Sequence, residues 1–157
     1  MKGFIETITI EQSFFTVPSN ARKAPFKIRL LHYNTLTGQP GKPMIAKEWM
    51  IYPKNNRSVL NIAEEHLRVP MHGLVVCIDY FFAGEQYNYK RKTSYTDSNG
   101  KTQNEIMIYY GASFRAAEGD NLAGAGYYLG NKSNGWNKTY RIKQSALMVS
   151  IGIKECN

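Results

Sequence analysis

Between Tyr87 and Tyr110 the chain sets cations and flat aromatic rings side by side. Tyr87, Tyr89, Lys90, Arg91, Lys92 and Tyr95 lead into Asp97-Ser98-Asn99-Gly100, after which Lys101 opens an apolar return ending in Tyr109 and Tyr110. Guanidinium and ammonium groups attract phosphates, and phenol rings offer faces on which unpaired bases stack. This mixture of residue types suits single-stranded DNA or RNA. Side chains alternate along a strand, which puts Tyr87, Tyr89, Arg91, Thr93 and Tyr95 on one face and Lys90, Lys92 and Ser94 on the other. The competing reading makes the tyrosine stripe a sheet-packing face with the lysines on its wet side.

Two other places add candidates of the same chemistry. Arg22 and Lys23 form a small basic cluster between Pro18 and Pro25, in a Thr16–Pro25 stretch that reads as a loop able to contact a ligand. Trp136 sits among asparagines and lysines in residues 131–138, where a large ring suits stacking on a base or a sugar, or simply anchors the loop. Trp49, within an alternating segment, reads as core.

A catalytic constellation is harder to find. His32, His66 and His72 lack metal-ligand spacing, because Pro70 separates the two that are six residues apart. Asp79, Glu85, Glu105, Glu118 and Asp120 would need folding to gather them into a two-metal centre. The glycine-rich 119–130 stretch holds no Gly-x-x-x-x-Gly-Lys-Ser/Thr pattern. Tyr109-Tyr110-Gly111 and Tyr127-Tyr128-Leu129-Gly130 resemble the paired motifs of GIY-YIG nucleases. They lie too far apart, however, and strand-like sequence follows where that family has helices. The expectation is a protein that is not an enzyme, with no metal and no cofactor.

Charge supports a polyanionic partner. Of 157 residues, 20 are Lys or Arg and 12 are Asp or Glu, giving a net charge of +8, although a charge of this size also serves solubility alone. Cys77 and Cys156 are too few and too separated for a disulfide framework, which suggests reduced thiols. Glu6 stands where a secretory signal would be apolar, and no run approaches the ~18 apolar residues of a membrane span. These features predict a cytoplasmic, unprocessed protein with no membrane association.

Positioning the candidates falls mainly to strands. Alternation over Phe4–Ile10 and Phe26–Leu30 reads as two half-buried strands, and Met44–Tyr52 as a third after a breaker-rich Thr37–Pro43 connection. Leu60, Ala63 and Leu67 predict one helix over 57–67, capped by Asn56 or Ser58 and stopped by Pro70. Gly73–Phe82 reads as a strand buried on both faces, followed by the Asp-Ser-Asn-Gly hairpin and a C-terminal third of further strands. Strand, strand, strand, helix, strand, strand is the element order of an OB barrel, whose face and loops bind oligonucleotides or sugars.

The sequence therefore predicts a single mostly β domain over 1–157, an antiparallel barrel or sandwich, OB-like, with that one helix. Its expected role is sequence-tolerant binding of single-stranded nucleic acid through the basic, tyrosine-rich surface. Compact basic binding proteins of phages and mobile elements share this size and charge, without a shared motif. Two other classes stay open: a self-assembling virion or appendage component, and a glycan-binding module built on Trp136 and the tyrosines. Sheet edges would also permit a homo-oligomer.

Overall fold

Nine residues that place Ile8 and Ile10 on one side of an extended chain form the first strand, β1 (Gly3–Glu11). The computed structural model describes residues 3–12, 17–111, 116–118, 127–129, 136–138, 145–147 and 149–155. After β1 come a single helical turn, α1 (Ser19–Arg22), then β2 (Phe26–Asn34), β3 (Gln39–Pro43), β4 (Trp49–Ile51) and β5 (Arg57–Asn61). A 3₁₀ turn at Ala63–Glu65 precedes β6 (Leu74–Tyr80), and a second at Glu85–Tyr87 precedes β7 (Asn88–Thr96) and β8 (Thr102–Tyr110). The chain continues through β9 (Ala116–Glu118), β10 (Tyr127–Leu129), β11 (Trp136–Lys138), β12 (Ser145–Leu147) and β13 (Val149–Glu155). Every pairing is antiparallel, and the protein is mostly β as its alternation predicts.

Two sheets carry the core. One has the order β13-β1-β5; in the other, β2 pairs with β6 along one edge and with β4 and β3 in succession along its opposite edge. Ile5, Ile8 and Ile10 of β1 meet Phe26, Ile28 and Leu30 of β2, with Trp49, Ile51 and Ile62 completing the buried cluster. Each of the six β1 and β2 side chains is at most 1% exposed, so each contributes ~1.5–3 kcal/mol by leaving water. A register shift between Ile5 and Thr7 lets Ile5 face inward alongside Ile8 despite its odd spacing. Phe4, expected inside, is thereby turned out, with the Arg68 guanidinium 5.8 Å above its ring and His66 edge-on to it.

Four expectations change. Residues 57–67 are not a helix: Arg57–Asn61 pairs with β1, placing Leu60 opposite Ile8 and Ser58 opposite Ile10. The open edge of β1 supplies hydrogen-bond partners that a solitary helix would have left unused, and tertiary pairing overrides local helix preference. The strand ends where the Asn61 side chain accepts the Ala63 N–H at 3.0 Å and His66 takes a left-handed φ of 48°. Thr37–Pro43 is not wholly a connection, because β3 pairs with β2 from Gln39; its prolines sit on an edge strand, where a missing N–H costs little. Of the predicted strand 44–52 only Trp49–Ile51 remains regular, with Trp49 in the core. β6 is mostly half-buried instead of covered on both faces, and Phe82 beyond it is 67% exposed, since an antiparallel sheet can leave one face to solvent.

No closed barrel forms among the described residues: β1 lies between the C-terminal β13 and β5 and is not paired with β2. The OB-like order expected from sequence depended on the helix that is absent from 57–67. No described helix is long and apolar enough to cross a membrane.

Because Ile8 is fully enclosed between the sheets, Ile8→Ala should lower stability by about 2–5 kcal/mol. Urea titration should show a reduced midpoint with an unchanged slope.

Candidate nucleic-acid interface

The segment singled out for its chemistry folds as a two-stranded ribbon. β7 and β8 pair in register from Asn88–Tyr110 to Thr96–Thr102, nine residues a side or about 30 Å. Neither outer edge pairs with another strand among the described residues. The tip is set by Asp97-Ser98-Asn99-Gly100. The Gly100 N–H donates to the Asp97 carbonyl at 3.0 Å, and Gly100 takes φ 77°, the left-handed position of a three-residue hairpin loop. Asp97 Oδ1 accepts the N–H groups of Asn99 at 3.0 Å and Lys101 at 2.9 Å. The Lys101 N–H foremost, then the Gln103 side chain and the Asn99 N–H, outweigh desolvation and hold the Asp97 carboxyl below the usual carboxylate range.

The base is anchored by aromatic groups. Tyr110 accepts the Ala83 N–H on its hydroxyl at 2.6 Å, and its ring lies 5.4 Å from Phe82 and edge-on to Tyr87 at 6.3 Å. The Gly111 N–H donates to the Tyr87 carbonyl at 3.2 Å. Tyr87 therefore belongs to the second 3₁₀ turn and packs on Tyr110, which corrects its expected place in the stripe with Tyr89 and Arg91.

Above this base the expected alternation holds, and both faces are wet. One face carries Tyr89, Arg91, Thr93 and Tyr95, opposite Tyr109, Met107, Glu105 and Gln103. Tyr89 stacks on Tyr109 with centroids 5.7 Å apart and is half-buried, whereas Arg91 and Tyr95 are exposed, Tyr95 by 53%. The other face carries exposed Lys90 and Lys92 opposite Ile108 and Ile106. Both isoleucines are 67% exposed, a feature that sequence reading passed over as an apolar return strand.

Several sheet cations are paired, whereas Lys42 of β3 and Lys154 of β13 enter no ion pair among the described residues. On the sheets Lys27 meets Glu48 at 2.7 Å, Arg57 meets Glu11 at 3.5 Å, and Lys47 meets Glu65. Arg29 holds both oxygens of Asp79, at 2.5 and 3.0 Å. Burial pushes the Asp79 carboxyl up, but hydrogen bonds from Arg29 and Cys77 and the charges of Arg29 and Lys27 outweigh it, leaving it below the ordinary range. Burial, then the Asp79 charge, raises the Cys77 thiol to about 11, so at neutral pH it stays protonated and donates to Asp79 at 3.4 Å. Lys90, Arg91, Lys92 and Lys101 enter no ion pair among the described residues, although Glu105 lies on the same ribbon.

Arg22 and Lys23 are not part of the ribbon. The expected loop around them contains α1, and the Asn20 side chain donates to the Gln86 carbonyl at 2.7 Å, tying α1 to the ribbon base. Ser19, Arg22 and Lys23 line a depression of about 110 Å³ with Pro53, Lys54, Asn55 and Asn56. Sequence reading missed the last three because a polar run after a proline looks like an ordinary turn. Trp136, expected in a loop, begins β11 opposite Leu129 of β10, and its side chain lies outside the described residues. Cys156 also lies outside them.

Asp97→Ala should loosen the ribbon tip without unfolding the sheets. Hydrogen exchange should accelerate at the Asn99 and Lys101 amides while the melting temperature stays the same. In the native chain the carboxylate's support is present above its unfolded value of about 4 and is lost as pH falls through the lower folded value, so the same amides should open selectively in acid.

Compared with protein-family models, curated proteins and solved structures, the chain matches none of them, and its site is defined by its own residues alone.

Proposed function

We infer that the β7–β8 ribbon binds single-stranded DNA or RNA with little sequence preference, as a binding protein without a catalytic step. The observation that carries this reading is the group of exposed cations Lys90, Arg91 and Lys92, unengaged by described carboxylates, of which Arg91 shares a face with the exposed ring of Tyr95. Attraction to phosphates is sequence-independent, and every base has a face that a phenol can meet. A two-stranded ribbon also has the dimensions to enter the major groove of a duplex. Exposed π-faces favour the single strand, because paired bases keep theirs inside the stack.

Polarisation titrations with labelled single- and double-stranded oligonucleotides test the reading. If Lys90, Arg91, Lys92 and Lys101 each meet one phosphate, raising salt from 50 to 200 mM should weaken single-strand binding about 50-fold, a log–log slope near −2.8. Tyr95→Ala should cost about 1–3 kcal/mol of affinity if it stacks on a base. Absence of binding to either strand form at low salt would overturn the reading, and tighter duplex binding would reassign it to a groove.

One specific observation favours a second reading. Ile106 and Ile108 are exposed on a ribbon whose edges are unpaired among the described residues, which suits a strand that pairs with another copy. Ribbon-mediated self-assembly would persist at high salt, and Ile106→Glu with Ile108→Glu should return the assembly to monomer in light scattering. A native chain that is monomeric at high concentration excludes this alternative.

A further inference from the structure

We propose that the depression between α1 and the β4–β5 connection is a phosphate site, selective for a multiply charged oxyanion such as a phosphate monoester. Its described lining combines three cations, Arg22, Lys23 and Lys54, with Ser19, Asn55 and Asn56, and contains no carboxylate. Six of its seven lining residues thus offer hydrogen-bond donors from a side chain, around about 110 Å³ of space. A monoester carries ≈ −1.5 to −2 charge at neutral pH and three acceptor oxygens, whereas an internal phosphodiester carries one negative charge. Two exposed lysines lining one small concavity, with Arg22 in its wall, match the former better.

The walls are held in place by contacts that do not consume the exposed lysines. The Arg22 N–H donates to the Pro18 carbonyl at 3.1 Å and closes the turn of α1. The Gln12 N–H donates to the Asn56 carbonyl at 2.7 Å and pins the opposite wall, where Pro53 is buried. Lys23 and Lys54 are exposed and enter no ion pair among the described residues. Through Asn20 and Gln86 the same turn reaches the foot of the ribbon, which would place a bound phosphate at the start of the track of Lys90, Arg91 and Lys92. A strand terminus bearing a phosphate is the carrier that fits this continuity; in that respect alone the inference rests on the nucleic-acid reading.

The full chain, labelled with nitrogen-15, should be titrated with inorganic phosphate. Saturable shifts are expected at the amides of Ser19, Lys23, Lys54, Asn55 and Asn56, and Lys54→Gln should weaken binding by about two- to fivefold. Both lysines are exposed, so the double substitution Lys23→Gln with Lys54→Gln should fold and abolish those shifts. An absence of saturable shifts at these amides, or equal shifts in the double variant, overturns the site. A second arm compares one oligonucleotide with and without a 5′-phosphate. Preference for the phosphorylated form, lost in Lys54→Gln, supports a strand end as carrier; phosphate binding without that preference supports the site for free phosphate. A ribbon variant carrying Lys90→Gln, Arg91→Gln and Lys92→Gln separates the two proposals. It should lose oligonucleotide affinity and leave the phosphate titration unchanged.

Discussion

Burial of the β1 isoleucines against Phe26, Ile28 and Leu30 is the interaction on which the rest of the fold depends. Six fully enclosed side chains from two adjacent sheets supply this core, and the remaining described elements take their places from it. β13 and β5 line up on β1, while β6, β4 and β3 line up on β2. Backbone groups along both central strands are thereby satisfied on each side, which is why Arg57–Asn61 becomes a strand despite its helical apolar spacing.

The core closed in this way does not include β7 and β8. Among the described residues their anchorage lies in the aromatic contacts of Tyr87, Phe82 and Tyr110, the carbonyl and hydroxyl bonds around them, and the Asn20–Gln86 hydrogen bond. Beyond that foot, order comes from cross-strand pairing and from the Asp97 turn, and both faces remain available to a ligand. An isolated hairpin is marginal in water, so the strong turn chemistry and the Tyr89–Tyr109 stack have a structural task. Tyr95 has no such ring partner among the described residues and is 53% exposed.

Some cations on the packed sheets meet carboxylates, as Arg29 meets Asp79 and Lys27 meets Glu48, and those charges cancel locally. The exposed Lys90 and Lys92 of the ribbon and Lys23 and Lys54 beside the α1 depression enter no ion pair among the described residues. Composition alone could not show which cations are paired, because neutralisation is a property of neighbours in space.

Local chemistry determined much of the molecule. Alternation determined that the chain is built of antiparallel strands, and the Asp-Ser-Asn-Gly turn determined the hairpin, because a left-handed position and a side-chain acceptor are properties of those residues themselves. The basic and aromatic content of β7 was equally plain. Tertiary structure decided what depended on partners: that Leu60 and Ser58 extend a sheet, that Ile5 and not Phe4 enters the core, and that Tyr87 leaves the stripe. It also brought Lys54 to Arg22 and Lys23 across more than thirty residues of chain. Exposure of the ribbon was likewise a tertiary decision, since a period-two pattern says which side chains share a face, and only the packing of everything else says whether that face meets water.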